Sequence, residues 1–426
     1  MRILHISTRL ILGGSQENTV LSCEGQARLG HRVHLAFGPI FGPEGSLLDR
    51  VRRFRSPDGR EIVTHEIPHL RRELSPLDDW RAYRELRTLL RAVRPDIVHT
   101  HSSKAGVLAR AAAWAEGGGG GRQGRLAVVH TIHGPPFHRF ESRWRNALYI
   151  AAERFAARRC HAIVSVADAM TDQFRAARIG RPDQFVTVHS GMETEPYLYP
   201  DPGESREATR AALGLEPHLV VIATVARLAE LKGHDDLIDA LQDDLHAHPD
   251  WRLLWIGDGW SRERLVERLL RANLRHRVVL TGLVPPERIP TLLRASDLLV
   301  HPSYREGLPR TVPQALLAGT PVVAYDTDGT REACLHEQTG LLVPVGDLTA
   351  LRSAVRRMIA NPAGAGRMAE RGRELCRTRF SAETMVAALE QVYARTLESA
   401  RARPAPGISP GTAPGTSPGT SPGARP

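Results

Sequence analysis

The feature that most constrains this 426-residue chain is a repeated alternation of short β-branched runs with helical stretches. In the first half, Ile3–Ser7, Val33–Phe37, Ile97–Thr100, Ala127–Thr131, Ile163–Val166 and Val186–Val188 read as strands. In the second half the strands are Val220–Val225, Arg252–Ile256, Val278–Thr281, Leu298–His301, Val322–Tyr325 and Leu341–Val343. Helical patterns separate them, such as Gln16–Leu29, ending at Gly30, and Asp78–Val93, ending before Pro95. Near-continuous apolar strands joined by helices mean parallel sheets covered on both faces. Two such sets, in a chain too long for one ordinary core, predict an α/β protein of two doubly wound domains.

The Pro-rich segment EPYLYPDPG at 195–203 predicts the boundary, giving domains 1–196 and 204–380. Residues 381–400 read as a long amphipathic helix. From 403 to 426 the chain repeats Ser-Pro-Gly-Thr and Ala-Pro-Gly-Thr units without core-forming residues, which predicts a disordered tail. The five-glycine run at 117–121 predicts a flexible loop.

A formal net charge of +10 narrows the partners to nucleic acid, an anionic membrane surface or phosphorylated small molecules. The charge is spread along the chain, and no helix-turn-helix, zinc-finger or RRM signature occurs, so nucleic acid is not expected. Of 57 basic residues only Lys104 and Lys232 are lysine, which marks those two as sites wanting a compact ammonium, with chance survival as the competing reading. Cys23, Cys160, Cys334 and Cys376 lack CxxC spacing, so neither a zinc site nor a redox motif is indicated, and reduced thiols are expected. MRILHISTRL reads as a first strand, not as a signal peptide, and no run approaches the roughly 18 uncharged apolar residues of a spanning helix. The expectation is a cytoplasmic protein, with peripheral contact at the inner membrane face as a further expectation.

Ligands of open α/β sheets sit beyond the carboxyl ends of the strands. After the first strand, Gly13-Gly14 precede a helix, where close backbone approach and unpaired N–H groups suit an anion. A plain turn is the competing reading. The GxGxxG fingerprint is absent there, and GDGWSR after Ile256 also lacks its third glycine, which argues against a nicotinamide dehydrogenase. HTIHG places His133 past the fifth strand, and HTHSSKAG places His101 and Lys104 past its neighbour. In the second half, ARLAELKG carries Arg227 and Lys232, two cations suited to a diphosphate. PSYREGLPRTVPQALLAG carries Glu306, a helix start near Pro309 with N–H groups around Leu308, Pro309 and Arg310, and Gln314 two turns beyond Glu306. Asp326 and Asp328 form an Asp-x-Asp, but the Arg227–Lys232 pair already supplies positive charge, so no metal is expected.

These motifs, in this order over roughly residues 1–400, resemble the retaining glycosyltransferases of family 4. The matching segments are GGSQ, THSSKAG, HTIHG, SGME, ARLxxxKG, IGDG, TGLV and EGLPxxxxQALLAGTPVV. The resemblance implies the GT-B architecture, two Rossmann-like domains facing a cleft, with the C-terminal helix packed back on the first. It implies that the residues matching Arg227 and Lys232 hold a donor diphosphate. Those matching Glu306 and His133 face the transferred sugar. The glycines matching Gly13 and Gly14 approach the phosphates, and the backbone around Gly282 and Val284 forms the base pocket. His101 and Lys104 are expected on the acceptor side. The family places a second glutamate where this chain has Gln314, so a charged ribose contact becomes a neutral one. Ser190 replaces the usual asparagine before Gly191.

The expected activity is therefore retaining transfer of a hexose-type sugar, UDP-linked by preference, to a glycan or lipid-linked acceptor hydroxyl. No cofactor or metal is expected. A non-catalytic nucleotide-sugar sensor and a GT-B epimerase or phosphorylase are the alternatives.

Overall fold

The computed structural model describes residues 1–40, 45–118, 126–201 and 203–402. The predicted tail at 403–426 and most of the glycine run at 117–121 lie outside them. Two parallel sheets organise the chain. The first has seven strands: β1 (Arg2–Ser7), β2 (Arg32–Phe37), β3 (Ile62–Glu66), β4 (Ile97–His101), β5 (Ala127–Ile132), β6 (Ala162–Ser165) and β7 (Phe185–Thr187). Their spatial order is β3-β2-β1-β4-β5-β6-β7, and every pair is parallel. The second has six: β8 (Val220–Val225), β9 (Trp251–Ile256), β10 (Val278–Gly282), β11 (Leu298–His301), β12 (Val322–Tyr325) and β13 (Leu341–Val343). Its order is β10-β9-β8-β11-β12-β13. The fold is thus two doubly wound α/β units, as predicted.

Strand β3 escapes the sequence pattern. IVTHE has one fully buried side chain, Ile62, because it is an edge strand with a half-solvated face, and the apolar run that marks the inner strands is missing. The helix after β1 starts at Gly14, two residues before the expected Gln16, and ends at Arg28.

The terminal helix, Ala382–Ala402, follows the second unit in sequence but lies on the first sheet. Its Met385, Val386, Leu389 and Tyr393 pack on Ile3, Ile97, Val129 and Val164. A glycine makes this contact possible. A Cβ on Gly191 would lie 2.9 Å from Ala382 Cα and 3.0 Å from the Ser381 carbonyl oxygen. Gly191 belongs to the SGME turn, and Met192 there exchanges backbone hydrogen bonds with Phe380 and Ala382. All four cysteines are buried and unpaired. No described helix is long and apolar enough to cross a membrane.

A candidate sugar-nucleotide cleft between the two sheets

The order of each sheet reverses between β1 and β4 and between β8 and β11. The carboxyl ends of these strands face a cleft of about 1870 Å³, larger than the roughly 300–1,000 Å³ of common small-molecule sites. His133, Gly13 and Gly14 line it from the first unit. Arg227, Lys232, Val284, Glu306, Leu308, Pro309, Arg310 and Gln314 line it from the second.

The centre is an ion pair. Two left-handed residues, Leu231 at φ 64° and Gly233 at φ 73°, fold the loop after β8 tightly around Lys232. A side chain on Gly233 would collide with the Pro302 carbonyl, so that glycine is required. Lys232 Nζ then lies 2.6 Å from Glu306 Oε1 and 3.5 Å from Ser303 Oγ. His301, the last residue of β11, puts Nε2 3.2 Å from the same Glu306 oxygen. The Glu306 backbone N–H donates to Asp328 Oδ2 at 2.7 Å. Burial alone would raise the Glu306 pKa, but the Lys232 charge and His301 outweigh it and hold the carboxyl well below its ordinary range. Arg227 also lines the cleft, with its guanidinium 5.5 Å from the Trp260 ring centroid.

The two units touch through the loops that bear the chemistry. Gly307 packs on the carbonyl of His133, and a Cβ there would lie well inside contact distance of that oxygen. Arg310 reaches across to Glu17 Oε1 at 2.7 Å and to the Gly191 carbonyl at 2.9 Å. Its side chain also lies against Gly14, where a Cβ would meet Arg310 Cδ at 2.8 Å. Arg305 donates to the Pro135 carbonyl, and Gln173 donates to Asp328 Oδ1 at 2.6 Å. Two loops, EGLP and HTIHG, thus form one seam.

Three expected residues, His101, Lys104 and Gly282, sit outside the cleft lining. His101 lies behind His133, buried, with Nδ1 3.1 Å from His133 Nε2. Lys104 pairs with Asp79 at 2.5 Å and donates to the Glu73 carbonyl, away from the cleft lining. The Gly282 carbonyl accepts from Gly257 at 3.1 Å, and Leu283 and Val284 supply that wall of the cleft. The helix bearing Gln314 runs from Thr311 to Leu317, so Pro309 precedes it. The Gln314 side chain lies near the Tyr197 hydroxyl, and both residues line the cleft. Asp326 pairs with Arg331 while Asp328 braces Glu306 and Gln173, so the two carboxylates point to different partners.

Among the described residues, the nitrogens of His5, His99 and His101 lie close enough to hold a metal. They are already engaged: His5 with Gln26 and His101, His99 with Tyr393 and Thr131. Glu17, His301, Ser303 and Gln26 carry no sequence signal as site or supporting residues, because nothing local marks a side chain whose partner is remote in the chain.

A cleft between two Rossmann-like units, with a lysine–carboxylate centre at one switch point and a glycine-led helix at the other, defines the GT-B class. Comparison with known proteins agrees. Residues 12–196 match the family model Glycosyltransferase Family 4, and residues 205–375 match Glycosyl transferases group 1. The chain belongs to this glycosyltransferase family and is a glycosyltransferase. It is 32% identical over 322 residues to 2-deoxystreptamine N-acetyl-D-glucosaminyltransferase of Streptomyces fradiae, covering 72% of each chain. It is 28% identical to UDP-Gal:alpha-D-GlcNAc-diphosphoundecaprenol alpha-1,3-galactosyltransferase of Escherichia coli, covering 68% of this chain and 73% of that one. Among solved structures, Anabaena HepE in complex with UDP-glucose superposes with a TM-score of 0.76 at 22% identity, covering 94% of this chain and all of the other.

Proposed function

We propose that this glycosyltransferase moves a hexose-type sugar from a UDP-sugar to an acceptor hydroxyl with retention of anomeric configuration and without a metal. The observation that carries this reading is the Lys232–Glu306 pair, held at the second switch point in the cleft that His133 lines from the other unit. Departure of a nucleoside diphosphate builds negative charge on the leaving phosphate. Lys232 and Arg227 are positioned to stabilise that charge, and preorganised cations in a partly dehydrated site are the largest single source of rate for such a step. Glu306, kept ionised, can accept from hydroxyls of the sugar while it orients Lys232. The UDP-glucose bound by HepE and the UDP-galactose named for the E. coli relative support the UDP donor. Retention is supported by the family kinship.

The relatives' names frame two acceptor classes, an aminocyclitol such as 2-deoxystreptamine and a polyprenyl-diphosphate glycan. Exposed Leu74, Leu77 and Trp80 beside Arg71 and Arg72 favour the lipid-linked class and a peripheral contact with an anionic membrane. Co-sedimentation with anionic vesicles tests that contact, and salt-independent exclusion from them removes it.

A thermal-shift screen against UDP, GDP, ADP and their sugar conjugates tests the donor, since a ligand of the native state raises Tm by mass action. One nucleotide-sugar should stabilise the wild type and not Lys232→Ala, with EDTA making no difference. Conversion of donor alone would indicate an epimerase, dependence on free phosphate a phosphorylase, and binding without turnover on any acceptor a sensor.

A further inference from the structure

Behind His133 runs an unbroken line of buried polar side chains that the transfer chemistry does not use. Tyr393 of the terminal helix, Gln26 of the Gly14–Arg28 helix, His5 of β1 and His101 of β4 are all at most 1% exposed. The Gln26 amide nitrogen donates to the Tyr393 hydroxyl at 2.9 Å. Its carbonyl oxygen lies 2.7 Å from His5 Nε2. His5 Nδ1 lies 2.9 Å from His101 Nε2, and His101 Nδ1 lies 3.1 Å from His133 Nε2. The line ends in the cleft that His133 lines.

Each neutral imidazole carries one N–H donor and one bare acceptor nitrogen. A line of neutral imidazoles therefore has a direction, and its end group sets it. Burial keeps His5, His101 and His133 in the neutral form, and the nearby Arg310 charge adds to this for His133. The Gln26 carbonyl can only accept, so His5 must carry its proton on Nε2. His5 Nδ1 is then bare and takes the proton of His101 Nε2. His101 Nδ1 is bare in turn and takes the proton of His133 Nε2. What remains for the cleft is the lone pair on His133 Nδ1. A side branch agrees with this sense: the Tyr393 hydroxyl, having accepted from Gln26, is free to donate to His99 Nδ1 at 2.6 Å, and His99 Nε2 to Thr131 Oγ1 at 2.6 Å.

We propose that Gln26 is a positioning residue which, through His5 and His101, fixes His133 as the Nε2–H tautomer, so that His133 meets the donor sugar as a hydrogen-bond acceptor and selects for a hydroxyl. The part concerning the sugar rests on the function proposed above, while the tautomer does not. The relay also ties the terminal helix to the cleft through Tyr393.

Nitrogen-15 NMR of ring-labelled histidine in the ligand-free protein tests the tautomer directly, with His133→Asn identifying the His133 signals. The expected result is a proton on Nε2 and a bare Nδ1. In Gln26→Met, of similar volume but without a carbonyl, this single tautomer should give way to an averaged or reversed pattern. A proton on His133 Nδ1 in the wild type, or an unchanged pattern in a folded Gln26→Met, overturns the proposal; should that variant fail to fold, the wild-type spectrum decides alone. The sugar contact is tested on wild-type enzyme with UDP-glucose analogues in which single hydroxyls are replaced by hydrogen or fluorine. At the position whose deoxy penalty disappears in His133→Asn, hydrogen and fluorine should both weaken binding by about two- to tenfold, the range of one ordinary hydrogen bond. Fluorine accepts weakly and cannot donate, so a fluoro analogue that binds as the parent does overturns the acceptor assignment. Failure of UDP-glucose and every analogue to bind would count against the proposed donor and leave the tautomer result standing.

Discussion

The Lys232 ammonium lies 2.6 Å from Oε1 of Glu306, a residue 74 positions further along the chain. The loops after β8 and β11 deliver one partner each, because β8 and β11 are adjacent in the sheet although β9 and β10 intervene in sequence. Removing the cation leaves the largely buried Glu306 carboxylate with His301 as its remaining close side-chain neighbour, and takes charge from the position proposed for the leaving phosphate. Lys232→Ala should lower kcat/KM by about 10²–10³, the effect typical of losing one such contact. Lys232→Arg should also lose activity, since a planar fork does not reproduce a point charge on this geometry. Steady-state kinetics decide both, and near-wild-type turnover of either variant would sink the assigned role.

Gly307 sets how closely the units approach. Its missing side chain lets the EGLP loop rest on the His133 carbonyl. Gly307→Ala should keep the fold of each unit, because Gly307 lies in the seam loop and not in a core strand. It should separate the two loops and reduce turnover by at least about tenfold, as expected when reacting groups are displaced by about 1 Å. Circular dichroism beside kinetics distinguishes this from unfolding.

Arg310 fastens the second unit to Glu17 and to the Gly191 carbonyl of the first. Arg310→Ala releases both contacts. The ligand-free protein should become more open by small-angle scattering, and the donor KM should rise. An unchanged radius of gyration would show that the remaining seam contacts, such as Gln173 with Asp328, suffice.

Acid should unfold the protein earlier than its carboxylates alone would cause. Burial holds His5 down at about 4 and His133 at about 3, and holds His99, His101 and His130 well below the ordinary histidine value. Above pH 6.5 these rings are neutral folded or unfolded and stability is whole. Below it the unfolded chain takes up protons that the folded chain refuses, so stability falls as pH drops from about 6.5 toward 4, by up to about 1.4 kcal/mol per pH unit for each ring. Glu306 behaves in the same sense at lower pH, its contribution being whole above about 4 and lost progressively as pH falls further. Urea midpoints should therefore decline steeply from pH 7 to pH 5. A flat profile over that interval would contradict the buried, neutral state of these histidines.

Much of the cleft was legible in the sequence because its residues sit in short loops directly after strands, where order along the chain and position in space coincide. Arg227, Lys232, Glu306 and His133 are of this kind. Lys104 follows β4 in the same way, yet its side chain turns to Asp79 on a neighbouring helix, a partner that no local pattern reveals. Strand β3 was missed because an edge strand lacks the apolar run that marks its inner neighbours. Gln26 and Tyr393 looked like ordinary helix positions, and only the return of the terminal helix onto the first sheet brings them together.

The sequence alone determined the two parallel α/β units, since apolar strands alternating with helices can bury their faces in few other ways. It also determined the composition of the strand-end loops, since strand ends are local events. The tertiary structure alone decided which charges pair, where the two units touch, and which way the buried histidines point. Those outcomes depend on strand order and on distances between residues far apart in the chain, and both are set by packing whole elements against one another.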